Sequence, residues 1–339
     1  ATFFRAVRWA TVQRLILVGD PNQLPPIGRG RVFADIIEFV RDHAPESIAT
    51  LTCNLRQLQG RLTDGATGII DLARCYINAS NGAAKNEEIT TGAEQILQRV
   101  QMGGDIAPDL RVIYWSDQED LSRALLGQMA QDMAGDVRSR GEIPDKGLSK
   151  LWRQAHENNR KPAYLQVLSP YRGEFFGIEE LNRVCQEHIQ ERRPDAHNSL
   201  AGVMLFDKVI QVRNRPASWP IWGWNHDKQC MEAAEIFNGQ LGFVRPHPFD
   251  TKQRKYPQYH LGRFCVAFDR RKEYLIGYGR LLGKDANGRW ISEESVEDNL
   301  ELAYAISVHK AQGSEFERVY IVIPNSKKAL LSTEMFYTA

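Results

Sequence analysis

The sequence predicts an α/β protein in which a parallel sheet flanked by helices is interrupted by a small β-rich insertion. The short apolar run at 15–18 reads as a strand buried on both faces, and 164–168 is strand-like. Each opens into a loop of Gly, Pro and polar residues, with helical periodicity beyond it, which is the alternation that builds a parallel sheet. From about residue 200 the texture changes to short β segments separated by turns, and from about 303 it returns to buried-strand texture. A chain of 339 residues is long enough for two domains.

Residues 2–13 predict a helix burying Phe3, Phe4, Val7 and Val12. The strand at 15–18 is closed by Gly19-Asp20-Pro21, and Pro21, Pro25, Pro26, Gly28 and Gly30 hold residues 21–30 out of regular structure. Helices are expected over 33–40 and 68–79, the latter stopped by Ser80-Asn81-Gly82. A short strand at 111–115 and a helix at 119–137 come next, and the polar residues 139–162 read as a connection. After the strand at 164–168 and its loop, a helix at 178–189 aligns Leu181, Val184, Cys185 and His188 on one side. Strand candidates at 203–212, 236–244, 264–268 and 274–282 are separated by turns such as Asn238-Gly239 and Ala286-Asn287-Gly288, which suggests a small antiparallel barrel or sheet. Strands at 303–308 and 319–323 flank the polar residues 309–315.

Composition excludes whole classes. Hydrophobic residues at 42% and charged residues at 25% are those of a globular protein, not a disordered polymer, a collagen or a coiled coil. Apolar runs stay far below the roughly 20 residues of a membrane span. Cysteines at 53, 75, 185, 230 and 265 contain no Cys-x-x-Cys pair, which argues against a disulfide framework or a zinc site and fits a cytoplasmic protein. The net charge of +1 hides an asymmetry: residues 205–292 carry 15 Lys and Arg against 8 Asp and Glu. That excess suits a polyanion partner, and equally a solvated face.

Three segments carry chemistry. In Gly19-Asp-Pro-Asn-Gln23 a strand end presents a carboxylate and a carboxamide, where open α/β sheets hold ligands. Gln23 can read a phosphate oxygen or an attacking water, while Gly-Asp-Pro can equally be a turn closed by an Asx bond. Arg56, in Leu55-Arg56-Gln57, is either a guanidinium for developing phosphate charge or a surface ion-pair residue. The turn after 303–308 collects His309, Lys310, Gln312, Ser314 and Glu315, with Gly313 allowing close backbone approach. Trp219, Trp222 and Trp224 with Arg213 could stack bases, or could be the packed centre of a hairpin.

Taken in order, these segments resemble the superfamily 1 helicases of the RecD-like branch. Gly19-Asp-Pro-Asn-Gln-Leu-Pro-Pro26 resembles that family's third motif, Asn54-Leu-Arg-Gln57 the fourth, and Ser169-Pro-Tyr-Arg-Gly173 through Leu181-Asn182 the segment after it. Phe206-Asp-Lys-Val-Ile-Gln-Val-Arg-Asn214 and Phe237-Asn-Gly-Gln-Leu-Gly242 resemble its SH3-like barrel. Ser307-Val-His-Lys-Ala-Gln-Gly-Ser-Glu-Phe316 resembles the fifth motif, and Tyr337-Thr338-Ala339 the opening of the sixth. The chain departs from the family in having no Gly-x-x-x-x-Gly-Lys-Ser/Thr (Gly283-Lys284-Asp285 is the nearest run), no Asp-Glu dipeptide, and Ser307 where threonine is usual. The family's phosphate loop and magnesium-binding motif are expected before Ala1, and the arginine of the sixth motif after Ala339.

The resemblance implies a RecA-like P-loop NTPase helicase fold with an inserted SH3-like β-barrel. Residues 1–58 would be the tail of the first RecA-like domain and 59–200 the first part of the second. The barrel would occupy 201–300, and 301–339 would return to the second domain. It implies the C-terminal part of an ATP-dependent DNA helicase, a translocase that moves on single-stranded DNA in recombination, repair or conjugation, alone or with other subunits of such a complex. ATP and Mg2+ are the implied cofactors, with no metal ligand assigned in this chain. Asp20, Gln23 and Arg56 would serve catalysis, and Gly19, Gln57, Gly313 and Glu315 would face the nucleotide. Pro25, Ser169, Tyr171, Arg172, Asn214, Asn238, Ser307, His309 and Lys310 would hold nucleic acid. Without a phosphate loop, this chain by itself is expected not to hydrolyse ATP. The alternative is a non-catalytic module that binds single-stranded nucleic acid.

Overall fold

The computed structural model describes residues 5–26, 28, 30–51, 67–76, 87–139, 141, 143, 147–157, 161–248, 261–279, 283–284, 290–291, 295–325 and 330–339. Two compact units result, one of residues 1–112 with 332–338, the other of residues 113–331 with 339.

In the first unit, helices α1 (Val32–His43), α2 (Gly68–Arg74) and α3 (Glu87–Met102) are followed by an antiparallel hairpin, β1 (Gly104–Ala107) and β2 (Leu110–Val112). The Asp109 carboxylate, in the hairpin turn, accepts hydrogen bonds from the Gly68 and Ile69 amides at 2.9 and 3.3 Å and so caps α2. This compact unit runs to residue 112 and takes in the C-terminal helix Thr333–Thr338. The run at 15–18 forms no strand, and Ile16 and Val18 are 71% and 89% exposed. A parallel strand needs paired neighbours and cover on both faces, and the unit's described strands, β1 and β2, pair with each other. The expected helix at 2–13 reduces, in its described part, chiefly to the 3-10 turn Trp9–Thr11.

The second unit holds the α/β core. Here β3 (Leu165–Leu168) lies between two parallel neighbours near the chain's end. Helices α4 (Gln118–Ser139), α5 (Leu148–Glu157) and α6 (Ile178–Gln190) pack their apolar faces into one core with it. α4 is held at the sheet by polar contacts as well: the Tyr164 hydroxyl donates to Asp136 at 2.6 Å, Tyr320 to Asp132 at 2.8 Å, and the Arg318 guanidinium pairs with Asp136. α5 replaces part of the connection expected at 139–162, because Leu148, Leu151, Trp152 and His156 recur at helical spacing and are buried. On α6, Leu181 and Cys185 are buried, whereas His188 is exposed.

Between α6 and the return to the core lie β4 (Ser199–Leu200), β5 (Val203–Met204), β6 (Lys208–Gln211), β7 (Ile221–Asn225), β8 (Cys230–Ala234), β9 (Leu241–Arg245), β10 (Arg263–Phe268), β11 (Tyr274–Gly279), β12 (Gly283–Lys284), β13 (Trp290–Ile291) and β14 (Leu300–Leu302). Seven of them form an antiparallel sheet in the order β14-β6-β9-β10-β11-β7-β8, with its own core around Ile236, Val266, Phe264 and Tyr278. The strand expected at 203–212 is broken because Phe206 turns the chain with φ at +71°. The one at 236–244 starts only after the Asn238-Gly239 turn, at Leu241. The one at 303–308 divides into β15 (Ala305–Ile306) and the one-turn helix α7 (Val308–Ala311), and β16 (Arg318–Ile321) follows. The parallel sheet has the order β15-β3-β16.

The two sheets are joined where the chain crosses between them twice. On the way in, the buried Lys208 amine donates to the Leu165 carbonyl at 2.6 Å and to Gln166 Oε1 at 2.8 Å, on β3. The buried Asp207 carboxylate accepts from Gln186 at 2.6 Å, Gln190 at 2.7 Å, the Tyr304 hydroxyl at 2.9 Å and the Met204 amide at 2.8 Å. On the way out, the Ala303 amide donates to the Lys208 carbonyl at 2.8 Å, and the Tyr304 carbonyl accepts from the Val167 amide at 3.1 Å. Burial pushes the Asp207 carboxyl up to about 6 and the Lys208 amine down to about 7.

Replacing Asp207 by alanine removes an acceptor from four buried donors, of which the Gln186 and Gln190 amides keep the Gly202 and Leu205 carbonyls while the Tyr304 hydroxyl and Met204 amide lose this partner. The expected loss is about 3–5 kcal/mol in urea unfolding, with a smaller loss for Asp207→Asn. His156 makes a second prediction. Burial among Trp152, Phe206 and Phe243, and then the nearby Arg245, push its imidazole down to about 3, from 6.5 when unfolded. As pH falls from about 6.5 towards 3, the unfolded chain takes a proton that the folded ring refuses, so stability falls. Asp207, raised to about 6, works in the opposite sense below that pH. His156→Phe should therefore be stabilised relative to the parent as pH drops from 7 to 5, read as the difference between melting curves.

Candidate nucleotide and nucleic-acid interfaces

In the first unit the third-motif residues form a compact turn. Asp20 Oδ1 accepts from the Asn22 amide at 3.0 Å, and the Asp20 carbonyl accepts from the Gln23 amide at 3.3 Å. The Asx turn, the plainer reading of Gly-Asp-Pro, is thus present. The same carboxylate has a second partner: the Tyr337 hydroxyl donates to Asp20 Oδ2 at 3.0 Å. Thr338 Oγ1 accepts from the Leu24 amide at 2.8 Å, and Tyr76 stacks on Phe336 with ring centroids 4.9 Å apart. Burial, and then the Asp20 charge, push the Tyr337 phenol up to about 12. Gln23 is exposed, Pro25 is half-buried, and a Cβ on Gly19 would lie 2.9 Å from the Phe33 ring. Residues 54–57, with Arg56 and Gln57, lie outside the described residues.

In the second unit two further candidate segments meet. β3 and β15 are adjacent and parallel, so the loops at their carboxyl ends emerge side by side, tied by the Ser169 amide donating to the Ile306 carbonyl at 3.2 Å. Ser169 itself is buried: its hydroxyl donates to the Phe176 carbonyl at 2.9 Å and accepts from the Tyr171 amide at 3.2 Å. Tyr171 is 9% exposed and packs edge-on against Phe176. Both residues shape the loop, and Arg172, 3.4 Å from Glu179, and Glu174 are exposed to solvent on it. The Tyr171 and Arg172 carbonyls accept from the Ile178 and Glu179 amides at 2.9 and 3.1 Å, which folds the loop onto the start of α6.

After β15, Ser307 accepts from the Lys310 amide at 3.3 Å and caps α7. His309 is exposed, and the Lys310 amine donates to Glu301 at 2.6 Å. Gly313, with φ at +78°, and Glu315 lie exposed in the turn towards β16. Asn214, after β6, and Asn238, in the turn before β9, form a separate pair, the Asn238 amide donating to Asn214 Oδ1 at 2.8 Å. The guanidiniums of Arg213 and Arg215 lie over the Trp219 ring, 4.4 and 4.2 Å from its centroid. Trp219 and Trp222 stay 47% and 40% exposed, so neither is the packed centre of a hairpin. Sequence reading missed Arg215 and Glu301, which nothing marks until the strands bring them to their partners.

Among the described residues no three His, Cys, Asp or Glu side chains converge to hold a metal, and both oxygens of Asp20 are engaged within the protein. Among the described residues, too, no helix is long and apolar enough to cross a membrane.

Comparison with known proteins bears on what this geometry serves. Residues 302–339 match the UvrD-like helicase C-terminal domain. The chain is 27% identical to an uncharacterised protein of Methanocaldococcus jannaschii over 98% of its length and 26% of that protein. It is 20% identical to the RecBCD enzyme subunit RecD of Buchnera aphidicola over 96% of its length and 47% of that subunit. It is 26% identical to the ATP-dependent RecD2 DNA helicase of Deinococcus radiodurans over 58% of its length and 21% of that helicase. The chain thus spans less than half the length of each of these relatives. These matches show the class: the chain is a relative of the superfamily 1 helicases. Within that class, the RecD subunit and the RecD2 helicase are the named relatives it resembles, and the residues matched to the family are those of a helicase C-terminal domain.

The loop geometry predicts one stability effect. A Cβ on Gly177 would lie 2.0 Å from the Gly173 carbonyl oxygen and 2.3 Å from that of Arg172, neither of which can give way without moving the loop. Gly177→Ala should cost about 1–3 kcal/mol in urea unfolding, as overpacking does. A variant as stable as the parent would show that the loop relaxes freely.

Proposed function

We propose that the chain is the C-terminal part of an ATP-dependent DNA helicase that couples ATP hydrolysis to movement along single-stranded DNA in recombination, repair or conjugation, in the cytoplasm. The observation that carries this reading is the shared carboxyl edge of β3 and β15, where the loop of Arg172 and the turn of His309 and Lys310 emerge together. Open α/β sheets bind ligands at that edge. Arg172, Ser307, His309 and Lys310 hold the strand's phosphates there, with Ser169 and Tyr171 setting the loop. In the first unit Pro25, and in the second Asn214 and Asn238, are separate candidate nucleic-acid contacts; the antiparallel sheet would correspond to the family's SH3-like barrel.

In the first unit Asp20 and Gln23 sense the γ-phosphate, Arg56 stabilises charge that develops on it, and Gly19 and Gln57 line the nucleotide; in the second unit Gly313 and Glu315 are the residues the resemblance assigns to nucleotide. Magnesium would supply charge neutralisation on the phosphates; its ligands are not assigned to this chain. The contact of Tyr337 and Thr338 with the third-motif turn supports a link between that turn and the sixth motif. Residues 1–339 alone do not turn over ATP, since phosphate-binding and metal-binding groups carry most of phosphoryl-transfer catalysis.

Two measurements test this. In the full-length protein that contains this chain, Arg56→Ala should lower kcat by roughly 10³–10⁵ with little change in nucleotide affinity. A near-normal kcat would reduce Arg56 to a surface ion-pair residue. Residues 1–339 titrated with labelled single-stranded oligonucleotide should bind, with affinity falling by about 0.7 in log–log slope per phosphate neutralised. Binding without ATP turnover in the full-length protein would favour the non-catalytic module.

A further inference from the structure

Lys310 is the cation that the proposed reading places on a nucleic-acid phosphate, yet in this structure its amine is already engaged, 2.6 Å from the Glu301 carboxylate. The two ends of that pair are unequal. Glu301 lies in β14, opposite Ile210 of β6, and its neighbour Leu302 lies opposite Val209, so two ladder positions fix the backbone that carries the carboxylate. Beyond them the Ala303 amide is bonded to the Lys208 carbonyl at 2.8 Å, inside the buried crossing. Lys310 instead ends a flexible four-carbon stem on a one-turn helix. Its side chain is 30% exposed and that of Glu301 43%, so water reaches both groups. A phosphate could draw the amine away while the carboxylate stays behind, hydrated.

We infer that Glu301 is a positioning residue that competes with nucleic-acid phosphate for Lys310, lowering resting affinity and letting the strand be released. This inference rests on the nucleic-acid reading of the Ser307–Lys310 turn. It assigns Glu301 a part that no motif marks, since the residue lies in the last strand of the antiparallel sheet. Because β14 pairs with β6, any shift of that sheet would also move the competing carboxylate.

The test uses residues 1–339, a labelled oligothymidylate and a salt series, with a thermal melt of every variant. Glu301→Gln removes the charge at constant shape and should tighten binding about three-fold, the scale of one surface ion pair. Lys310→Ala should weaken binding and reduce the salt slope by about 0.7. In the Lys310→Ala background the gain from Glu301→Gln should vanish, because the competitor then has nothing to withhold. Glu301→Asp, which keeps the charge but shortens its reach, should give an intermediate gain and serves if the glutamine variant melts early. An equal gain with and without Lys310 would overturn the inference in favour of a diffuse charge effect. Weaker binding by Glu301→Gln would also overturn it, by making Glu301 the residue that presents Lys310. If the unsubstituted protein does not bind even at low salt, the nucleic-acid reading fails and this inference fails with it. Binding without any gain from Glu301→Gln overturns this inference alone.

Discussion

Asp207 and Lys208 are consecutive, wholly buried and charged by type, and the second unit is organised around them. A buried carboxylate or amine is tolerated only when every partner is in place. Asp207 meets that condition through α6 and Tyr304, and Lys208 through β3. Apart from the Met204 amide, their partners belong to the parallel α/β core, while Lys208 itself opens the antiparallel sheet. The exit crossing runs alongside, since Ala303 bonds to the Lys208 carbonyl and Tyr304 to Val167. Entry and exit of the insertion are therefore locked to each other and to the core by the same few groups. An apolar pair would fill the space as well, but it would not fix the direction in which the chain leaves each sheet.

The candidate interface of this unit depends on that lock. β15 begins a single residue after Tyr304, and the turn carrying Ser307, His309 and Lys310 begins where β15 ends. Fixing the crossing therefore fixes where those side chains emerge beside the loop of β3. The same crossing sets β14, and with it the carboxylate beside Lys310. Rigid backbone positions the groups, and a flexible lysine stem supplies the adjustment. Such a division suits the nucleic-acid role proposed for this surface.

The first unit shows a looser logic. Its third-motif turn is closed locally by Asp20 and Asn22, yet the same carboxylate reaches Tyr337, which the chain brings back from its far end. Two motifs separated by most of the sequence thus share one acceptor. The apolar run leading into that turn is exposed, so in this unit polar contacts and the aromatic stack of Tyr76 on Phe336 stand in for a buried sheet around the turn.

Much of the architecture was legible in the amino-acid order, because burial and periodicity are local properties. β3, α4, α6 and the change to short β segments follow from runs such as Leu165–Leu168, and from apolar side chains recurring at helical spacing. α5 was hidden because its polar residues outnumber the few that face the core. Position in the sequence also marked Arg172, His309 and Lys310. It could not show that Ser169 and Tyr171 turn inwards, since whether a hydroxyl meets solvent or a carbonyl such as that of Phe176 depends on how the loop closes. Nor could it pair Glu301 with Lys310 or Asp20 with Tyr337. The residues' own chemistry settled which groups can carry charge and which must be buried. Strand pairing and the buried crossing decided which of those groups meet, because contacts between distant residues exist only once the backbone ladder has brought them within hydrogen-bond reach.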